Sequence, residues 1–410
     1  MKILFLTPQL PYPPTSGGVI KTYKMIEYLK GKYHIELAFF KKETSEDCFY
    51  DFLKIYPNIK IHTQYLSIPR TMVSYIKSLL FFLPISVYRN RSKVFSKAIN
   101  EMSMSADVIF VDHFLMFQYV PKNYKGRVIL HQHNAEHIMW KRYGENQDNI
   151  FLKLLTFFES WRIKKYEQFI MNRACSILAS PNDIDNLKKL IPKTEKFIET
   201  FHLGDEKLLE KETLNFDETK KSLLYIGTLT WEANIDGLLY FLQNVWPEVV
   251  RQQADVVFNI VGKLKESNDF SSWRNDPRII WHGYVEDLNI FYDSSRVFVA
   301  PLRFGSGIKV KVVNALYRGL PTVTTSIGIE GLELRNGEHI FYSENPKEQA
   351  AQILRLLQDK IFWKNMSDNS RLVSKEKYTW DSVFFNLEKA LLYECQNAPP
   401  KDDAQIKTNF

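Results

Sequence analysis

The stretch Ala300–Thr325, APLRFGSGIKVKVVNALYRGLPTVTT, reads as strand, glycine-rich turn, basic helix, glycine stop and strand. Phe298, Val299 and Ala300 end an apolar run suited to a buried parallel strand. Gly305, Ser306 and Gly307 let the backbone turn tightly and expose its N–H groups. The pattern predicts a helix from near Ile308 that Gly319 and Pro321 stop. Unpaired N–H groups and the positive dipole end of such a helix start attract phosphate. Arg303, Lys309 and Lys311 place three cations around that point. Lys311 and Asn314, three apart, share one helix face, while Val312, Val313 and Leu316 can pack on a sheet from the other. The arrangement suits a diphosphate on the loop, but a plain crossover with a solvated basic helix reads equally from these residues alone.

The same alternation extends in both directions. In the first half, strands are expected at 3–6, 35–40, 108–111, 128–130 and 176–179, with helices at 19–30 and 151–173. In the second half, strands are expected at 222–226, 256–261, 278–281, 297–300, 322–325 and 340–342, with one helix over 234–250. The fold class is therefore α/β, with two architecturally alike, Rossmann-like halves and ligands expected at the carboxyl ends of the strands. The domains are expected at 1–203 and 204–376. A further helix is expected over 377–395, and the polar tail 396–410 reads as disordered.

Hydrophobic content of 45% and charged content of 25% suit a globular protein and exclude a disordered chain. Cys48, Cys175 and Cys395 are scattered and odd in number, so no disulfide framework and a reducing, cytoplasmic compartment are expected. The opening MKILFLTPQL reads as a buried strand rather than a signal peptide, and no run approaches the ~20 apolar residues of a bilayer span. Residues 1–200 carry a formal charge of +11 and the remainder −4. The first domain therefore suits an anionic partner, a membrane surface or lipid-linked acceptor. No nucleic-acid motif is present, so nucleic acid is discounted.

Taken together, the quoted stretch resembles the donor-sugar site of retaining glycosyltransferases of family 4, the group 1 glycosyl transferases of GT-B fold. That resemblance implies two Rossmann-like domains facing a cleft, with the helix over 377–395 returning to the first domain. Pro301, Leu302, Arg303, Gly305, Gly307, Lys309, Lys311, Ala315, Gly319 and Pro321 match a branch that reads Pro-Leu-Arg, Gly-Ser-Gly and a basic pair. Ser306 and Asn314 stand where the family's wider signature has two glutamates. The second glutamate grips ribose hydroxyls there; Asn314 can hydrogen-bond but carries no charge. The resemblance continues upstream. Gly227 ends a strand, Thr228 and Leu229 would face the cleft, and Asn234 matches. Gly262 would line the donor pocket, and Gly283, Tyr284 and Val285 match a segment that holds a nucleobase through backbone groups. Two basic residues common in the family near Gly227 are missing, which leaves the charge to Arg303, Lys309 and Lys311. Glu330 also fits the branch, or is a plain surface-loop residue.

In the first half, Gly17 and Gly18 follow the first strand, where backbone can approach a diphosphate or sugar. No G-x-G-x-x-G follows that strand, so a nicotinamide enzyme is disfavoured. The run HQHNAEH, residues 131–137, holds three histidines and a glutamate, but its spacing after a strand makes no convincing metal set. Through the resemblance, His133 lies near the reacting sugar, with Asn134 and Glu136 matching. The alternative is a helix cap by Asn134 with His133 satisfied by backbone. The apolar and aromatic stretch Tyr75–Lys93 reads either as a patch for a membrane surface or lipid-linked acceptor, or as a buried helix and loop. Trp161, Arg162 and Tyr166 read as packing or solvated positions.

The resemblance implies retaining transfer of a hexose from a nucleotide-diphosphate sugar to a hydroxyl of a glycan or lipid-linked glycan, in polysaccharide or glycoconjugate synthesis. It implies no metal and no cofactor. Arg303 and Lys309, then Lys311, would stabilise the leaving diphosphate, and His133 would act on the sugar side. The expected partners are the nucleotide sugar, the acceptor and an anionic membrane, at the inner membrane face. A GT-B sugar-nucleotide epimerase or hydrolase is one alternative. A non-catalytic sugar-nucleotide or glycan-binding subunit is another, prompted by the uncharged Asn314.

Overall fold

Short apolar runs separated by helical segments can bury both faces only as parallel strands with helices on either side. The computed structural model describes residues 1–14, 17–41, 46–66, 71–145, 147, 149–192, 194–264, 270–305 and 307–393. Ser306 and the tail 396–410 therefore lie outside the described residues. The described residues divide into two compact units, Met1–Thr200 with 383–393, and Phe201–Ser382.

The first unit holds β1 (Lys2–Thr7), β2 (His34–Lys41), β3 (Lys60–Tyr65), β4 (Val108–Asp112), β5 (Arg127–His131), β6 (Ser176–Ala179) and β7 (Phe197–Glu199). All pairs are parallel, in the order β3-β2-β1-β4-β5-β6-β7. Ile3 to Leu6 and Val108 to Val111 are fully buried at its centre, where Phe5 stacks on Phe110 at 4.7 Å. The outer strands β3 and β7 carry no long apolar run, because an outer strand is not packed on both faces, and so their sequences do not announce them.

The helix Trp380–Leu392 packs on this sheet. Ser176 Oγ donates to Ala390 O at 2.9 Å, Arg127 donates to Leu391 O at 2.6 Å, and Phe384 stacks on Tyr28 at 4.2 Å. One expectation fails here: Cys175 is disulfide-bonded. Its neighbours are set by this packing of distant segments, which cysteine spacing along the chain does not report. Cys48 is a free thiol.

The second unit holds β8 (Lys220–Ile226), β9 (Val257–Val261), β10 (Ile279–Gly283), β11 (Ser295–Ala300), β12 (Thr322–Thr324) and β13 (Phe341–Tyr342). Its order is β10-β9-β8-β11-β12-β13, again all parallel. The single helix expected over 234–250 is two, Glu232–Asn244 and Trp246–Gln252. Pro247 lacks an N–H and cannot continue the first helix, but it suits the opening turn of the second. The helix after the glycine turn runs Val310–Arg318 and ends on Gly319 at φ 73°.

Each sheet reverses its strand order once, between β1 and β4 and between β8 and β11. Loops leaving two neighbouring strands diverge there and leave a crevice at their carboxyl ends. Both groups of candidate residues sit at these two points.

Candidate functional site

In the second unit, the chain leaves β11 through Pro301 and Leu302 into the turn around Gly305 and Gly307. These take φ 139° and 72°, conformations that side chains resist. Helix Val310–Arg318 follows at once, and its N-cap, Lys309, makes no side-chain cap hydrogen bond. Val312 N and Val313 N donate to Lys309 O at 2.8 and 3.2 Å, so the N–H groups of Val310 and Lys311 are the ones that can meet a ligand or solvent.

Three cations surround this start in three different states. Lys309 is buried, donates to Gly307 O and pairs with Glu330 at 3.5 Å. Glu330, its side chain 10% exposed, is therefore the counterion of Lys309 rather than a plain surface-loop residue. Lys311 Nζ donates to Asn234 Oδ1 at 2.8 Å, and Asn234 Nδ2 donates to Thr228 O at 2.9 Å. One asparagine thus ties the end of β8 to the basic helix. Burial, and then the charge of Lys309, lower the Lys311 ammonium to about 7. Arg303 is half exposed, paired with Asp236 at 3.2 Å and laid over the Tyr240 ring at 4.6 Å.

Gly227, Gly262 and Gly283 lie side by side at the ends of β8, β9 and β10. Gly227 N donates to Val261 O at 3.0 Å and Gly262 N to Gly283 O at 2.8 Å. They form a ledge of bare backbone beside the turn. Thr228 and Tyr284 are exposed next to it and Val285 is half-buried. Leu229, expected to face the cleft, is instead fully buried. An apolar side chain there gains more from the core than from a polar ledge. Asn314 accepts a hydrogen bond from Asp205 N at 2.8 Å, so its side-chain oxygen ties the basic helix to the chain entering this unit.

In the first unit, the β1–β4 point holds a dense polar cluster on Asp112, the last residue of β4. Its Oδ2 accepts from Thr7 Oγ1 at 2.9 Å and Thr22 Oγ1 at 2.7 Å. Its Oδ1 lies 2.7 Å from His131 Nδ1 and 2.9 Å from His133 Nε2. Burial opposes the charge on Asp112, but the two histidines together hold its carboxyl well below the usual range. A carboxylate can only accept, so both histidines present N–H to it. His133 then carries a proton on Nε2 and turns its Nδ1 edge toward the helix Gly17–Lys30. Gly18, in helix Gly17–Lys30, stands beside that atom: a Cβ on it would lie 3.5 Å from His133 Nδ1. Lys21 of the same helix is fully buried, its Nζ has no hydrogen-bond partner among the described residues, and burial lowers it to about 7.

Asp112, His113, His133, Thr22, Asn90 and Tyr12 are among the residues that open onto a cavity of about 440 Å³. The volume suits a sugar-sized ligand. His113 is held at φ 97°, costly for a residue with a side chain, and burial lowers its imidazole to about 3. Next door, Glu167 accepts from Glu136 N at 2.8 Å and meets His137 Nδ1 at 2.6 Å. Asp183 accepts from Ala135 N at 2.8 Å. Glu167 and Asp183, not Asn134, therefore satisfy the start of helix Glu136–Glu145; the Asn134 amide points to Glu136 at 3.5 Å. Burial, and then Glu167, raise Glu136 to about 8, so it is largely protonated at neutral pH.

Residues 220–359 match the family model described as "Glycosyl transferases group 1". That segment contains the whole ledge, the glycine turn and the basic helix. Over 95% of this chain and 99% of its own length, an uncharacterized 44.6 kDa protein of the Klebsiella pneumoniae cps region is 24% identical. Among solved structures, S. aureus TarM, in complex with UDP, fondaparinux and α-GlcNAc-glycerol, is similar with a TM-score of 0.66. It is 11% identical over 95% of this chain and 99% of that one. Anabaena HepE, in complex with UDP and glucose, is similar with a TM-score of 0.62 and 12% identity, again over 95% and 99%. The two-unit architecture is that of the GT-B glycosyltransferases.

Within the group 1 segment, the structure brings together Arg303, Gly305, Gly307, Lys309 and Lys311, with Gly227, Thr228 and Gly262 alongside. In the first unit it brings together Gly18, His133, Asn134 and Glu136. Asp112, His113, Lys21 and Thr22 escape a reading of the sequence. A signal for two of them exists: the apolar run 108–111 ends in Asp-His, at the carboxyl end of a central strand. Lys21 and Thr22 carry no such signal, because a polar residue on a helix is ordinarily solvated. Asp112, His131 and His133 also place ligand atoms within 4.8 Å of one another, a spacing a metal could use. Contacts of 2.7 and 2.9 Å from imidazole nitrogens to a carboxylate are hydrogen-bond lengths.

Proposed function

We propose that this chain is a metal-independent glycosyltransferase that moves a hexosyl group, with retention, from a nucleotide-diphosphate sugar to a hydroxyl of a glycan or lipid-linked glycan. One observation carries the reading: an uncapped helix start, a glycine turn and three cations lie at a topological switch point inside a segment that matches group 1 glycosyl transferases. UDP in the complexes of HepE and TarM supports a uridine nucleotide as the donor.

In this reading the leaving diphosphate rests on the N–H groups of helix Val310–Arg318, with Arg303, Lys309 and Lys311 balancing the charge that develops as the glycosidic bond breaks. The ledge of Gly227, Gly262 and Gly283 takes nucleoside and diphosphate through backbone groups. In the first unit, His133 acts on the sugar side, its ring oriented by Asp112.

The test is calorimetric titration of UDP, GDP, ADP and CMP without added metal. UDP is expected to bind, and Arg303→Ala and Lys309→Met are each expected to weaken it by about 10- to 100-fold, the worth of one charge-assisted hydrogen bond. Arg303 gives the cleaner arm, since its surface pair with Asp236 contributes little to stability. Absence of binding by every nucleotide would remove the donor site and favour a glycan-binding protein.

Lys311 adds a second expectation. Free, with a pKa of about 7, it is mostly neutral at pH 8. A diphosphate beside it favours the ammonium, so UDP binding at pH 8 should take up a proton, and affinity should fall as pH rises from about 7 to 9. Titrations in two buffers of different ionisation enthalpy measure the uptake. Lys311→Met should abolish it, and equal uptake in that variant would refute the assignment.

A further inference from the structure

Two helices of the first unit are built inside out. In helix Met72–Leu80, Ser78 is fully buried, donating its hydroxyl to Tyr75 O at 2.7 Å, while Met72, Val73, Ile76 and Leu80 are exposed. They recur at i, i+1, i+4 and i+8, one helical face. Two more aromatics follow, Phe81 and Phe82. Phe82 takes φ 53°, a conformation natural to glycine, and stands 78% exposed.

Helix Ile150–Arg173 repeats the inversion in its first half. Thr156, Glu159, Ser160 and Arg162 are buried, while Phe151, Leu154, Phe158 and Trp161 are exposed at i, i+3, i+7 and i+10. The buried polar residues of both helices form one seam. Arg162 pairs with Glu159 at 2.8 Å and donates to Ser78 O at 2.8 Å, and Glu159 accepts from Ile85 N at 2.5 Å. The seam decides which faces turn outward, because a paired Arg–Glu cannot be released to solvent without unpacking both helices. The stretch Tyr75–Lys93 is thus divided: Leu83 and Val87 are buried in the core, while Ile76, Leu80, Phe81 and Phe82 face outward.

A water-facing surface helix shows the opposite pattern, and exposed apolar stripes of this extent mark a surface with an apolar partner. The surrounding charge selects that partner. Residues 72–93 carry Lys77, Arg89, Arg91 and Lys93 and no acidic residue, and Lys164 and Lys165 are exposed beside Trp161. Face-to-face pairing with a second copy would set these cations against themselves. An anionic bilayer surface complements both the charge and the aromatic and aliphatic stripes. No helix among the described residues is long and apolar enough to cross a membrane, which fits insertion to headgroup depth.

We propose that the outer faces of helices Met72–Leu80 and Ile150–Arg173 dock the first unit on an anionic membrane surface. The inference stands on these two helices and is independent of the nucleotide reading.

The test is co-sedimentation of the full chain with vesicles of phosphatidylcholine, with and without phosphatidylglycerol. Binding to the anionic vesicles, weakened by salt, is expected. The triple variant Ile76→Ser, Leu80→Ser, Phe158→Ser should lower the partition coefficient at least about tenfold on both compositions. Lys77→Glu with Lys164→Glu should remove the preference for phosphatidylglycerol. All five positions are exposed, so melting temperature and nucleotide titration should match those of the unaltered chain. Failure to bind anionic vesicles, or binding that both variants leave unchanged, overturns the proposal. A concentration-dependent dimer that only the triple variant dissolves overturns it in favour of a second copy.

Discussion

Asp112→Ala should destabilise the first unit by about 3–5 kcal/mol, because it removes the acceptor of three buried donors and one part-buried donor at once. Thr7 and Thr22 lose the acceptor for their hydroxyls, and His131 and His133 lose the acceptor for their ring N–H. For a unit of this size the loss corresponds to a fall in melting temperature of roughly 6–20 °C. Asp112→Asn is the more informative change. It keeps the volume but can accept on one side only, so one pair of donors meets an NH₂ group. The fold should survive, and the Nε2–H of His133 should no longer be held by a carboxylate. If His133 serves the transfer as proposed, turnover should fall by roughly 10²–10⁴-fold with little change in UDP affinity. Nitrogen NMR of the histidine side chains reads the tautomer directly. A protein with normal turnover and an altered His133 tautomer would exclude that role. The acid limb gives a check on stability. The Asp112 carboxyl is held below its ordinary value, so its contribution is present above about pH 4 and is lost as pH falls through the lower, folded value. Asp112→Ala should remove that part of the acid sensitivity.

Gly262→Ala should cost the second unit roughly 3–5 kcal/mol and abolish nucleotide binding. A Cβ on Gly262 would stand 1.9 Å from Gly227 O, at φ +151°. Both partners are backbone, so no side chain can swing aside; β8 and β9 would have to part where the ledge begins. Gly283→Ala supplies the control. It also has a positive φ, +67°, but nothing lies within 4 Å of the added carbon, so only backbone strain of about 1–2 kcal/mol is expected. Thermal melting and UDP titration of the two variants separate steric collision from strain. Equal melting temperatures would mean that the ledge yields, and that its closeness is not what shapes the site.

The parallel sheets, the glycine turn and the basic helix were legible in the residues because each rests on local chemistry. Strands in the middle of a parallel sheet must be apolar throughout, a helix must stop where Gly319 takes a left-handed conformation, and a phosphate loop needs small residues next to cations. Residues 300–325 carry all three signals in contiguous sequence. The outer strands β3 and β7 were hidden because their burial is one-sided, and the break at Val245 because Pro247 could equally have been read as the tail of one helix.

What contiguous sequence determined, then, was the alternation of elements and the identity of the donor-type loop. The tertiary structure alone decided which charges are paired, which are buried and which apolar faces point outward. Lys309, Lys311 and Arg303 look alike as letters. Their differences come from Glu330, Asn234 and Asp236, which lie between 21 and 77 positions away in the chain. Asp112 becomes the hub of its cluster only because β1, β4, β5 and helix Gly17–Lys30 converge on it. The apolar stripes of the two inverted helices face outward because the Glu159–Arg162 pair claims the inner side. Local conformational preference acts over a few residues and can be read from them. Desolvation, pairing and exposure depend on neighbours brought together by folding.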